Sequence, residues 1–253
     1  MAYEREKTDA VVLRQVFRTR PWILPRDPEV FVRFFEQNGH EFTVGKGGTL
    51  PHGGEDGYVS LLVDGLVSFA FLDVNDQFHI FALVLPGRLI GDLDSLNPQG
   101  TNVVAECMRT SRVLRVPNSK WRAFLRESVE RMELFADLCV LKEECELEGT
   151  FANFTLDLES RLRVFMYSLV RSCHVEPDEG GWYQCPLSLT VTEIAQIVSA
   201  NRSWVSTKFS EWCRAGVMQK AGNSIACREE FFSPINDWME TPDNVRPRYK
   251  DLA

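Results

Sequence analysis

Histidine is scarce in this 253-residue chain: His40, His52, His79 and His174 stand alone, and no two are spaced as His-x-His. A mononuclear metal cup built on such a pair is therefore not expected. Haem ligation by His79 or Cys107 stays open beside a plain structural role. The seven cysteines (107, 139, 145, 173, 185, 213 and 227) are odd in number and contain no Cys-x-x-Cys, which suits reduced thiols better than a disulfide framework or a zinc or iron–sulfur site. No phosphate loop, dinucleotide fingerprint or Ser-His-Asp spacing is present, so an enzyme is not expected. Long apolar runs are missing too. The most apolar stretch, Val59 to Val74, is broken by Asp64-Gly65, short of the ~20 residues a spanning helix needs. The first twenty residues carry Glu4, Arg5, Glu6, Lys7 and Asp9 and have no apolar core like that of an export signal. A cytoplasmic location without membrane contact is expected. Positive charge is in deficit as well: the net charge of -8 argues against indiscriminate binding to nucleic acid, so any such contact needs a local basic patch.

What is present divides into three parts. Val30, Phe31, Phe34 and Phe35 recur at helical spacing before Asn38-Gly39. From Phe42 to Val116 the pattern changes to short β-rich runs at Tyr58–Val63, Leu66–Leu72, Phe78–Leu85, Val103–Met108 and Arg112–Val116, separated by Gly, Asn, Asp and Pro. That spacing predicts a sandwich or barrel. A short helix over Lys120–Arg126 and one long helix over Glu127–Phe151 follow. Leu134, Leu138, Leu141 and Cys145 advance along the long helix by steps of four, three and four. Such a stripe fits a dimer seam or packing on the chain's own sheets, and the pattern does not choose between them. Asp157–Ser172 forms another amphipathic helix, and Cys173–Tyr183 reads as a polar, turn-rich loop. The expected division is 1–126 for a β-roll unit, 127–155 for the long helix with its hinge, and 156–253 for a C-terminal unit with a tail.

The segment Leu189 to Phe209 has the layout of a helix-turn-helix. Thr192–Val198 gives a first helix with Ile194, Ile197 and Val198 buried and Ala195 at the crossing, Ser199-Ala200-Asn201 gives the turn, and Asn201 caps a second helix anchored by Val205 and Phe209. Its outer face offers Arg202, Ser203, Ser206 and Thr207. Arginine can bond guanine O6 and N7 bidentately, and serine or threonine reaches base edges or phosphates. Thr190, Thr192, Asn201, Trp204 and Lys208 complete the candidate DNA contacts. Trp204 has two readings, an aromatic at the DNA surface or filler between helices, and filler is the more frequent fate of such a residue. Between Leu187 and Arg228 five basic residues face two acidic ones, a local charge of +3. Gln219 to Cys227, centred on Ala221-Gly222-Asn223, predicts a hairpin wing.

A β-roll, a long helix and a winged unit in this order resemble the cyclic-AMP receptor protein and fumarate–nitrate reduction (CRP/FNR) regulator family over about residues 28 to 228. The residues that carry the likeness are Val59 to Phe69, then Leu85-Pro86-Gly87-Arg88-Leu89-Ile90-Gly91-Asp92-Leu93, Asp157 to Leu162, and Ala200-Asn201-Arg202-Ser203-Trp204-Val205. The resemblance implies an α+β fold with a cupin-like double-stranded β-helix, a homodimer with its interface at Leu134, Leu138 and Leu141, a palindromic double-stranded DNA site, and RNA polymerase as partner if the protein activates. It also implies an effector pocket, for which Leu89, Gly91, Asp92 and Asn102 are candidates; Phe69, Phe71, Phe78 and Phe81, concentrated on the β-roll strands, suit an apolar or aromatic small molecule there, though plain core is the more frequent role of each. The family's nucleotide-binding Glu is replaced by Asp92, and its Arg-Ser pair by Thr101, Asn102 and Val103, so cyclic AMP is not an expected ligand. The N-terminal cysteine cluster of oxygen-sensing members is missing as well, since the first cysteine is Cys107. A small-molecule effector of other chemistry, or none, is left. The rival reading is a ligand-binding or metal-dependent β-roll protein whose C-terminal helices serve assembly only.

Overall fold

The computed structural model describes residues 17–53, 57–72, 74, 78–97 and 102–239. Helix α1 (Glu29–Asn38) leads into strands β1 (His40–Val44), β2 (Tyr58–Asp64), β3 (Val67–Leu72), β4 (Phe78–Val84), β5 (Arg88–Ile90), β6 (Val104–Cys107) and β7 (Ser111–Pro117). Two antiparallel sheets result, in the orders β1-β7-β2-β5 and β4-β3-β6. Alternation within each strand gives every sheet an inner and an outer face. Leu62, Ile90 and Val113 of the first sheet pack against Val67, Phe69, Ala82, Val84, Ala105 and Cys107 of the second. The outer face of the first sheet, with Val59, Leu61, Leu89 and Val116, is covered by Phe31, Phe34 and Phe35 of α1 and by Trp121 and Phe124 of α2 (Asn118–Arg126). Phe34 stacks on Phe124 at 4.0 Å between ring centres. The sequence reading found five of these seven strands. It passed over β1 and β5, which are short and hold few of the β-branched runs used as a signal.

Helix α3 (Val129–Thr155) starts on a capped turn, Ser128 Oγ accepting from the Arg131 amide, and runs 27 residues. One side faces the chain's own sheets: Phe135, Leu138, Leu141 and Cys145 are buried, and Leu134 packs against the same cluster. The expectation that Leu134, Leu138 and Leu141 form a dimer seam is therefore corrected: Leu138 and Leu141 are enclosed within one chain, and Leu134 is half-buried against its own sheet. The opposite side exposes Val129, Met132, Val140, Leu147, Phe151 and Phe154. Gly149 sits on the inner side, where a Cβ would come within 2.9 Å of the Trp22 ring. Residues 17–24 run past this point: Arg18 and Thr19 amides donate to Glu148 at 2.6 and 2.9 Å, and the Leu83 amide donates to Trp22 O.

The C-terminal unit comprises α4 (Leu158–Ser172), β8 (Trp182–Gln184), α5 (Val191–Ile197), α6 (Arg202–Arg214), β9 (Met218–Ala221), β10 (Ser224–Arg228) and α7 (Glu229–Phe232). Strand β8 lies inside the segment read as loop; three residues suffice because β10 supplies the pairing. The tail packs back as expected, with Phe231, Phe232, Ile235 and Met239 in one cluster with α4, α5 and α6. That cluster also takes in Leu66, Ile80, Leu83 and Met108, so the C-terminal unit covers the outer face of the second sheet. No helix among the described residues is long and apolar enough to cross a membrane.

Candidate nucleic-acid interface

Helix α5 opens on a reciprocal cap: Thr190 Oγ1 accepts from the Glu193 amide, and the Glu193 carboxylate accepts from the Thr190 amide at 2.7 Å. It ends where Ser199 takes φ +48 and the Ala200 amide reaches Ala195 O at 2.8 Å. Arg161 fixes this turn by donating to Val198 O at 2.6 Å and Ser199 O at 3.0 Å. Helix α6 then starts from Asn201, whose Oδ1 accepts from the Ser203 amide at 2.8 Å. Val205, Phe209 and Trp212 recur every three or four residues and are buried, which fastens α6 to the unit's core. At about 100° per residue the opposite side carries Ser203 and Thr207, flanked by Arg202 and Ser206 on one edge and by Trp204 and Lys208 on the other. Arg202, Ser203, Ser206 and Thr207 are all exposed. Turn residues 222 and 223 of the β9–β10 hairpin stand clear of the core beside α6, Gly222 holding φ +60.

The candidate residues thus sort into several roles. Thr190 and Asn201 are helix caps, while Thr192 is exposed at the start of α5. Thr207 bonds Ser203 O at 3.0 Å. Lys208 is shared between Glu211 at 2.8 Å and Glu159 at 3.5 Å, so its charge is partly spent inside the chain. Trp204 is 66% exposed, which rules out the filler reading. No carboxylate of the described residues pairs with Arg202.

One contact that the sequence did not suggest joins this pair of helices to the β-roll. Arg109, in the turn after β6, holds Glu193 through two bonds of 2.6 and 3.0 Å and donates to Ser188 O at 2.6 Å. Burial opposes the Glu193 carboxylate, yet the hydrogen bonds from Arg109 and Thr190 outweigh it and hold its pKa below the usual range. Arg109 and Glu193 lie 84 residues apart, so nothing local announces the pair.

On the β-roll side the structure brings some candidates together and separates others. Phe69 and Phe71 each lie 6.2 Å from Phe81, and Phe71 stacks on His79 at 5.2 Å. Leu89 is corrected as a pocket residue: it belongs to the outer-face cluster beneath α1 and α2. Asn102 is exposed. Gly91 holds φ +79, and a Cβ there would stand 2.5 Å from His52 Cβ. Asp92 is buried, and its Oδ2 lies 2.7 Å from Lys142 Nζ of α3, which also meets Asp27 Oδ1 at 3.4 Å. Burial alone would drive the Lys142 ammonium to lose its proton, but Asp27 and Asp92 outweigh it and hold its pKa above the usual value. A lysine amid the buried side of a helix was the legible hint to this cluster. Among the described residues, no three His, Cys, Asp or Glu side chains stand close enough to hold a metal ion.

No family model and no curated protein sequence matches the chain. Solved structures do. FixK2 from Bradyrhizobium japonicum is similar at 18% identity and TM-score 0.66, covering 80% of this chain and 98% of that one. A CRP/FNR-family transcriptional regulator from Thermus thermophilus is similar at 18% identity and TM-score 0.59 over 78% and 97%. CooA from Carboxydothermus hydrogenoformans is similar at 15% identity and TM-score 0.64 over 81% and 89%. The chain therefore has the α+β fold seen in CRP/FNR transcription regulators, over nearly their whole length.

Proposed function

We propose that this protein is a DNA-binding transcription regulator of the CRP/FNR type, with α5 and α6 as a helix-turn-helix, the β9–β10 hairpin as its wing and the β-roll as its sensor. The observation that carries the reading is the outer side of α6: a capped, firmly anchored helix leaves Arg202, Ser203, Ser206 and Thr207 exposed together. A helix this size fits the major groove, where arginine and small hydroxyl side chains can discriminate bases. Homodimerisation goes with this function, since two such helices would read two half-sites of a palindrome. We assign the seam to the exposed side of α3, where Val129, Met132, Val140, Leu147, Phe151 and Phe154 leave a strip of apolar surface along the whole helix. RNA polymerase would be a further partner of an activator, and the cytoplasm the compartment. Cyclic AMP and cyclic GMP are not the effectors: Asp92 is already paired with Lys142, and no basic residue stands at Asn102, Val103 or Val104 to meet a cyclic phosphate.

The test is selection of duplex DNA from a random pool by the purified protein, followed by retardation assays. We expect a two-fold symmetric site, and Arg202→Ala should weaken it by about 1–3 kcal/mol while relaxing one base position per half-site. Retention of no duplex at low salt would remove the proposal. For the seam, Leu147→Glu should convert a dimer to a monomer by light scattering; a monomeric unmodified protein at micromolar concentration would sink that part.

A further inference from the structure

We propose that the open end of the β-roll binds a small organic carboxylate with an apolar body, held by Arg115. Residue Arg115 pairs across the sheet with His40 and with Ser60, two positions along β7 from Val113, so it lies on the inner side of the roll. Its guanidinium carbon is 4.7 Å from the centre of the Phe42 ring and 5.1 Å from that of Tyr58. Aromatic rings that cover the faces of a guanidinium leave its N–H donors pointing outward in the plane. Among the described residues no acceptor is bonded to these donors. Nε is buried without an acceptor, and no carboxylate of the described residues pairs with the group.

Other partly or fully buried arginines of the described residues are better served: Arg161 also has an Nε without an acceptor, but its Nη1 donates to Val198 O and Ser199 O. Arg88 donates to Leu24 O and Pro86 O, Arg109 to Glu193, and Arg163 to Glu159. A guanidinium donor withdrawn from water without an acceptor is costly, and a two-oxygen planar anion would satisfy it through parallel bonds. The surroundings favour an apolar body on that anion. Phe42 and Tyr58 are 45% and 38% exposed, which leaves the sandwich accessible from solvent. Continuing across the opening, Gly91 borders both Tyr58 O and His52, and His52 lies 6.1 Å from Phe69, which leads to Phe81 and Phe71. Among the described residues Asp92 is bonded to Lys142 and Asp94 to His52 Nδ1 at 2.6 Å, and neither pairs with Arg115. Arg115 itself stands on β7, outside the β5–β6 segment in which the family resemblance would place nucleotide contacts.

The proposal concerns binding alone and is measured without DNA, so it can fail while the regulator reading stands. Full-length protein is titrated calorimetrically with benzoate, cinnamate and octanoate, with benzyl alcohol and inorganic phosphate as controls. We expect saturable binding of at least one carboxylate and none of benzyl alcohol. Arg115→Gln should weaken that binding at least tenfold, and Arg115→Lys, which keeps the charge but loses the fork, should fall between. Phe42→Leu preserves Arg115 and should weaken binding severalfold, which keeps the test alive if Arg115→Gln fails to fold. If none of the carboxylates binds, if phosphate alone binds, or if both Arg115→Lys and Phe42→Leu bind as the unmodified protein does, the proposal is overturned.

Discussion

The β-roll side and the α5–α6 helix pair dispose of charge in opposite ways. Around the junction of α3 with the β-roll, Lys142, Asp27, Asp92 and Arg88 are enclosed, and each has its partners within the chain. In the helix pair formed by α5 and α6 the interior is apolar, and Arg202 and Arg214 lie outside. Enclosed charges must be matched where they stand, because a lone ion removed from water costs several kcal/mol. Exposed ones owe the fold little and stay available to a partner. Stability should therefore hang on the first group and, on the proposed function, DNA affinity on the second.

The contrast breaks most visibly at Lys142. Lys142→Met leaves two enclosed carboxylates without their cation and should cost about 3–5 kcal/mol in chemical denaturation. A loss below 1 kcal/mol would mean that Asp27 and Asp92 are far better hydrated than their burial implies. Glu146 offers a test in the opposite direction. Burial first, then the neighbouring Glu143, raises its pKa from 4.5 to about 7, against the pull of Lys142. The folded chain thus keeps a proton that the unfolded chain releases, so this contribution to stability is complete below pH 4.5 and is lost as pH rises through about 7. Glu146→Gln should stabilise the protein at pH 8 by on the order of 1–3 kcal/mol and change little at pH 4; equal effects at both would refute the assignment.

Arg109 sharpens the comparison, because it is the charge through which the two regions meet. Arg109→Ala should lower stability by about 1–2 kcal/mol, and the exchange Arg109→Glu with Glu193→Arg should restore part of that loss. Additive losses in the doubly exchanged protein would show that the pair is not coupled. The smallest stability effect belongs to the recognition side: Trp204→Ala and Arg202→Ala should each stay within about 0.5 kcal/mol of the parent in denaturation while weakening DNA binding. A large stability loss on either would return that side chain to the core.

Legibility in the sequence followed how local each determinant is. Helices α5 and α6 were readable because caps at Thr190 and Asn201 and anchors at Val205 and Phe209 act within one or two turns of chain. Five strands were readable from alternation and turn residues, while β1, β5 and β8 owe their form to a neighbouring strand. Helix α3 was readable as a helix but not in its orientation. It bears two apolar stripes, one through Leu134, Leu138 and Leu141 and one through Val140, Leu147 and Phe154, and both obey helical spacing. A periodic pattern says that a side will be covered; it does not say by what.

The amino-acid sequence by itself determined the order of parts and the helix pair with its exposed Arg202 face. Each of these rests on residue chemistry at short range. Tertiary structure decided which side of α3 is enclosed, that Lys142 meets Asp27 and Asp92, that Arg109 grips Glu193, and that Arg115 stands between Phe42 and Tyr58 with donors unspent. Those pairings join positions 50 to 115 residues apart in the case of Lys142 and 84 apart in that of Arg109. Charge recognises charge over a few ångströms of space, and only the folded chain sets that distance.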